Sequence, residues 1–243
     1  MLANFSGRQV QVGALSKELQ LDATSLKELI GFIVDELPRW RDDPNLRDRY
    51  EPAETTLTSR LCGHLNTVAR LTPGWDTFQF RTEEPDEARK GRKIDLVGAP
   101  CGPVVWIEGR RCTQFDTLLP IECKRLPTPD DKRRDEWEYV INRSGSTGGI
   151  QRFKAGDHAA MHTVAAMIGY VQAESPAIWF GRITGWIKSL GLTHAGWTNS
   201  DLLRIDPADA RPDVTIYRST HVRANGLPEI ALHHLWIELP GRT

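Results

Sequence analysis

Apolar positions recur along this chain with two different periods, and the alternation between them predicts an α/β fold. Leu26, Leu29, Ile30, Ile33, Val34 and Leu37 fall at helical spacing. Thr24 or Ser25 can cap that helix with Glu28 as the capping-box partner, and Pro38 is expected to end it. Residues 1–22 show no strong period and read as an arm, and residues 39–50 read as a polar connection. Pro52 suits the first turn of a second helix, whose apolar stripe is Leu57, Leu61, Leu65 and Val68. Thr77–Arg81, Arg92–Gly98, Pro103–Glu108 and Leu119–Leu126 read as strands, with a charged loop over 82–91. A charged helix is expected over Lys132–Asn142, a flexible loop over 144–149, and a further helix opening at Gly149-Ile150-Gln151-Arg152. Val164–Val171 has the length of a buried strand, and Pro176–Leu190 that of an amphipathic helix packing Trp179, Ile183, Trp186, Ile187 and Leu190. Asn225-Gly226 between Asp213–Arg223 and Glu229–Leu239 predicts a hairpin. The expectation is one α/β domain over 1–243, a central mixed β-sheet flanked by helices. Residues 1–50 form an N-terminal helical extension, and 51–243 a core ending in a C-terminal β-hairpin.

Composition changes this picture little. Of 243 residues, 40% are hydrophobic and 26% charged, which suits a globular chain with a sizeable core. No run approaches the ~18 apolar residues of a membrane helix, and Met1–Arg8 lacks a secretory apolar stretch, so no membrane association and a cytoplasmic location are expected. Cys62, Cys101, Cys112 and Cys123 have no Cys-x-x-Cys spacing and read as reduced, structural thiols. The formal net charge of −1 gives no global basic field for tight, independent nucleic-acid binding. Local basic clusters remain at Arg89-Lys90-Gly91-Arg92-Lys93, Arg110-Arg111 and Lys132-Arg133-Arg134.

The candidate chemistry centres on Leu119-Pro120-Ile121-Glu122-Cys123-Lys124-Arg125-Leu126. Strand side chains alternate, so Glu122 and Lys124 share one face while Ile121 and Cys123 share the other. An acid and an amine inside a buried strand are unfavourable unless something pairs with them, and a divalent metal with a phosphate would satisfy both. In the upstream strand Ile94 and Leu96 share one face and Asp95 the other, so an antiparallel pairing would set Asp95 beside Glu122. Asp116, six residues before Glu122, is the rival acid, in a weaker strand context. Glu54 falls near the centre of the apolar stripe of the second helix at ~100° per residue, with Glu51 about a quarter-turn away. A first-turn acid is also favoured by the helix dipole alone.

Asp95 followed by Glu122-x-Lys124 on adjoining strands resembles the PD-(D/E)xK, or restriction-endonuclease-like, nuclease superfamily over roughly residues 51–172. The residues before Asp95 are Lys93-Ile94, where the name-giving pattern has Pro. The resemblance implies a restriction-endonuclease-like core and metal-dependent hydrolysis of nucleic-acid phosphodiesters, with DNA as substrate and a role in prokaryotic defence, restriction or repair. It implies Mg²⁺ or Mn²⁺ held by Asp95, Glu122, Glu54 and the carbonyl of Cys123. Lys124 would orient the attacking water and stabilise phosphate charge; Gln151 and Arg152 open the following helix, and a donor there, Gln151 foremost, would contact the phosphate or that water. The Gln-x-x-x-Tyr signature of one subgroup is not met, because Ala155 stands at the Tyr position. The near-neutral charge suggests that a helicase, an ATPase or a second subunit, another copy of the chain included, helps to hold the substrate. The alternatives are a catalytically silent nuclease-like module binding DNA or a partner protein, and an unrelated α/β enzyme with a fortuitous Glu-x-Lys. His221, His233 and His234 have no Gly-x-Ser-x-Gly or His-Glu-x-x-His context and read as structural or substrate-contacting.

Overall fold

A computed structural model describes residues 19–21, 25–44, 53–87, 90–102, 104–107, 110–129, 135–205, 211 and 213–239. Thr24, Glu51, Pro52 and Lys132-Arg133-Arg134 lie outside the described residues.

The chain runs β1 (Leu19–Leu21), α1 (Ser25–Arg41), α2 (Glu54–Leu71), β2 (Phe78–Pro85), β3 (Lys93–Pro100), β4 (Val105–Ile107), β5 (Arg110–Cys112) and β6 (Leu119–Leu126). It continues with α3 (Gly149–Ala155), β7 (Val164–Val171), α4 (Pro176–Thr193), a 3-10 turn at Asn199–Asp201, β8 (Arg204–Ile205), β9 (Val214–His221) and β10 (Ile230–Glu238). The fold is α/β. A seven-stranded mixed sheet has the order β2-β3-β6-β7-β10-β9-β8, and β1-β4-β5 form a separate three-stranded sheet. The β3–β6 pairing is antiparallel and the β6–β7 and β7–β10 pairings are parallel, so β6 lies inside the large sheet.

Alternation along each strand builds two cores. Ile121, Cys123, Ala166, Ile168, Leu235 and Ile237 pack under α1 and α2 with Leu29, Ile33, Leu57, Leu61 and Leu65. Burying each such side chain stabilises the fold by about 1.5–3 kcal/mol. Val105 and Ile107 of β4 join this core, so the small sheet is part of it. The opposite face, with Ala165, Met167, Leu232 and Trp236, packs under α3 and α4 with Ile150, Phe153, Trp179, Ile183 and Ile187. Glu122 and Lys124 fall on this second face by the same alternation.

Three local expectations are corrected. Pro38 does not end α1, which continues to Arg41. Asp42 N still reaches Pro38 O at 3.0 Å, and Trp40, 1% exposed, holds the last turn in the core. The described part of the expected Lys132–Asn142 helix, residues 135–142, consists of turns, with Asp135 accepting from Trp137 N and Arg143 N. Part of the expected 82–91 loop is strand, because β2 runs to Pro85. The hairpin forms as expected: β9 and β10 pair antiparallel, with Asn225 and Gly226 at φ 59° and 71°. No helix among the described residues is long and apolar enough to cross a membrane.

Candidate active site

The site forms where β3 leaves β6. The described ladder between them ends at Leu96–Ile121, one residue short of Asp95 and Glu122. Beyond it the β6 backbone has donors without a strand partner on that side, and N–H groups two residues apart point the same way. Two carboxylates take them: Asp95 Oδ2 accepts from Cys123 N at 2.8 Å, and Glu54 Oε2 accepts from Arg125 N at 3.1 Å. The splayed ladder thus fixes both acids beside β6. Glu54 is the first residue of α2, and the Leu57–Leu61–Leu65 stripe seats that helix end against the sheet. In β2, Glu83 has φ 55° between the pairs Thr82–Leu96 and Glu84–Ile94, so the backbone facing Asp95 is strained as well.

Lys124 occupies the centre. Its Nζ lies 2.8 Å from Glu122 Oε1, 3.3 Å from Glu54 Oε1 and 3.8 Å from Asp95 Oδ2, and donates to Cys123 O at 2.9 Å. The carbonyl expected to join a metal site is therefore engaged by the ammonium. Among the described residues no three His, Cys, Asp or Glu side chains form a ready-made metal cage. The acids close instead on Lys124.

Two residues not read as a pair from sequence complete the cluster. Arg152 NH1 donates to Glu122 Oε1 at 2.6 Å. His158 Nδ1 lies 3.1 Å from Glu122 Oε2 but out of hydrogen-bond alignment, and both atoms are buried with no hydrogen-bond partner. Arg152 sits in α3, and His158 follows the αL C-cap at Gly156 (φ 70°), where His158 N returns to Arg152 O at 3.3 Å. The turn after α3 is clamped by the buried Arg223, which donates to Ala159 O and His162 O, and by Asp86, which accepts from Ala159 N at 3.0 Å.

Electrostatics separates the acids. Burial opposes charge on Glu122, yet Lys124, His158 and Arg152 together hold its carboxyl down at about 2. Burial, then the charges of Glu122 and Glu54, push Asp95 up to about 7 against the pull of Lys124. Burial disfavours charge on Lys124, but Glu122, Glu54 and Asp95 raise it well above the usual lysine range, so it stays an ammonium. Three carboxylates face two permanent cations, and Asp95 is the acid left short of one. Glu122 is fully buried, whereas the side chains of Asp95, Glu54 and Arg152 are 22%, 14% and 17% exposed, so the cluster meets solvent through those three.

Of the residues singled out from sequence, Glu54, Asp95, Glu122, Cys123 and Lys124 are brought together. Gln151 is not. Its Oε1 accepts from Gly148 N and Asn142 N, and its Nε2 donates to Gly145 O, each at 3.1 Å. One helical step of ~100° separates it from Arg152, so Gln151 ties down the 142–148 loop while Arg152 reaches the acids. Asp116 is also remote from the cluster, closing a turn by accepting from Thr113 N and Oγ1 at 2.6 and 2.7 Å. His221 and His234 belong to a separate buried network. Asp201 Oδ1 contacts His221 Nδ1, and His221 Nε2 contacts Ser219 Oγ. This has the topology of a hydrolase triad, but Ser219 is 4% exposed, His221 is fully buried, and the hydroxyl is held on its other side by His234. Among the described residues this hydroxyl is buried and presents no open face to a substrate. No protein-family model, curated protein or solved structure matches the chain, and the case for its chemistry rests on the residues described above.

Proposed function

We propose that this chain is a metal-dependent nuclease with a restriction-endonuclease-like core, hydrolysing phosphodiester bonds of nucleic acid, DNA before RNA. One observation carries the reading: Glu54, Asp95 and Glu122, from three separate elements, come within 3.8 Å of a single lysine nitrogen. A fortuitous Glu-x-Lys has no reason to recruit an acid from the neighbouring strand and another from a helix start. Buried acids gathered this way are unfavourable for the fold and are a signature of functional sites.

The donors suit a hard divalent cation. Mg²⁺ or Mn²⁺ takes oxygen ligands and few protein carboxylates, and Asp95, Glu54, Glu122 and the Cys123 carbonyl are that set. The raised Asp95 fits, since it is the acid that another cation would relieve. Bound there, the cation would supply Lewis acidity and an activated water. The chain's own groups do the rest. Lys124, held as an ammonium, would place that water and meet charge developing on the phosphate. Arg152 would keep Glu122 ionised and offer its guanidinium toward solvent. Arg92 and Lys93, at the start of the Asp95 strand and 35% and 60% exposed, would hold flanking phosphates.

One contact favours a second reading. Glu122 Oε1 is already shared by Lys124 and Arg152, as expected of a module that binds DNA or a partner protein without cutting. An assay on supercoiled, linear and single-stranded substrates, with Mg²⁺, with Mn²⁺ and with chelator, decides between the two. Chelator-sensitive cleavage supports the nuclease, and binding without cleavage under every condition supports the silent module.

A further inference from the structure

The second buried network runs beneath the element that carries Arg152. Trp236 Nε1 donates to Tyr139 Oη at 2.8 Å, and Tyr139 Oη contacts His234 Nδ1 at 2.8 Å. His234 Nε2 contacts Ser219 Oγ at 2.7 Å, Ser219 Oγ contacts His221 Nε2 at 2.6 Å, and His221 Nδ1 reaches Asp201 Oδ1. The ends of this chain set its direction. An indole N–H only donates and a carboxylate only accepts. Tyr139 Oη accepts from the indole N–H, which leaves its own hydroxyl hydrogen free to point to His234 Nδ1. His234 then carries its proton on Nε2, Ser219 donates to His221, and His221 donates from Nδ1 to Asp201. Both imidazoles are neutral and every donor points toward Asp201. The depressed proton affinity of His221 and His234, due first to burial, agrees.

Both ends of this relay grip α3. At the start of α3, Ile150 N donates to Tyr139 O at 3.2 Å, with Gly149 N on Glu138 O and Gln151 N on Val140 O. The approach needs glycine at 149, where a Cβ would stand 2.7 Å from Tyr139 O. At the far end Lys154 Nζ donates to Asp201 Oδ1 at 2.6 Å and to Val222 O at 3.3 Å, over the ring of Trp197. Asp201 itself is fixed by Thr198 N at 2.6 Å. Arg152 lies between these anchors, two residues before Lys154.

We propose that Asp201 and Lys154 are positioning residues for the candidate site: their buried ion pair, backed by the relay to Tyr139, sets where α3 places the Arg152 guanidinium against Glu122. The catalytic consequence rests on the nuclease reading, whereas the coupling itself does not. The test uses Lys154→Met/Asp201→Asn, which removes both charges and leaves neither buried alone, with Lys154→Arg as the conservative control. The first readout is hydrogen exchange of the Arg152 Nε–H, followed by nitrogen-15 NMR in metal-free protein. Exchange should quicken about tenfold or more in the double variant, as local opening becomes easier, and return toward the wild-type rate in Lys154→Arg. The second readout is cleavage. In the double variant kcat should fall roughly tenfold to a hundredfold, as for a small displacement of a reacting group, with KM little changed. Should the double variant fail to fold by near-ultraviolet circular dichroism, Ser219→Ala interrupts the relay with every charge in place and should show the same changes at smaller size. A folded variant with wild-type exchange and wild-type kcat overturns the proposal. A wild-type chain that cuts nothing overturns the nuclease reading instead, and the exchange measurement then decides the coupling alone.

Discussion

Glu122 Oε1 receives Lys124 Nζ at 2.8 Å and Arg152 NH1 at 2.6 Å, so one fully buried carboxylate oxygen is shared by a strand lysine and a helix arginine. That sharing explains why the two strand acids differ. Glu122 is neutralised from its own strand and from α3, whereas Asp95 has Lys124 at 3.8 Å and two like charges nearby. The cluster gathers buried like charges at the expense of stability, a pattern common to functional sites and the one the proposed nuclease reading relies on.

Asp95→Asn should therefore stabilise the metal-free protein at pH 8. The wild-type carboxyl, pushed up to about 7, must ionise in an unfavourable place. In the unfolded chain it ionises near ~3.9, so the folded state binds the extra proton and wild-type stability falls as pH rises from about 4 through 7. Asparagine keeps an acceptor for Cys123 N without the charge. Chemical unfolding in chelator should show a gain of about 1–3 kcal/mol at pH 8, after allowance for partial exposure, shrinking toward pH 4. Equal stabilities across that range would mean that Asp95 is not a strained acid. Added Mg²⁺ should reverse the order by raising the wild-type unfolding midpoint alone.

Gln151 and Arg152 are adjacent and should behave differently. Gln151→Ala removes two acceptor contacts and one donor contact from the 142–148 loop, at about 1–2 kcal/mol of stability, and leaves cleavage near wild type. Arg152→Ala strips Glu122 of a cation and should reduce cleavage severely. The reverse ranking in a side-by-side kinetic assay would return the phosphate-contacting role to Gln151.

Much of the site was legible because it depends on local period. Alternation in Leu119–Leu126 put Glu122 and Lys124 on one face, the same rule turned Asp95 away from Ile94 and Leu96, and the Leu57–Leu61–Leu65 stripe pointed Glu54 at the sheet. The contribution of α3 was legible only in part: the helix was expected beside the acids, but not which of its residues reaches them. Choosing between Gln151 and Arg152 needs the helix phase, which is set by the Gly148–Gly149 approach to residues 139–142, a tertiary contact. His158 reaches Glu122 only because the chain reverses at Gly156, and that glycine was the one available signal. The relay joins residues from 139 to 236 with no common period. Pro38 misled for a similar reason: propensity ends a helix there, and burial of Trp40 outweighs it.

Acid should loosen the relay. His221 and His234 are held neutral, so below about 6.5 the unfolded chain takes up protons that the folded one refuses, and stability falls with pH. In the Asp95→Asn background, which removes the opposing titration, the unfolding midpoint should decline between pH 7 and pH 5. A midpoint constant over that interval would mean that these imidazoles accept protons in place and that the donor order running to Asp201 is wrong.

The central claim is that Lys124, within reach of Glu54, Asp95 and Glu122, belongs to a phosphodiesterase site and is more than a buried counter-ion. The most direct test sets Lys124→Ala beside wild type on one DNA substrate, with Mg²⁺ binding measured in parallel by calorimetry. Lysine cannot ligate a metal while protonated, so the variant should bind Mg²⁺ at least as well as wild type while losing cleavage entirely. Such a split marks a group acting mainly in the transition state. Wild-type-level cleavage by Lys124→Ala would contradict the account.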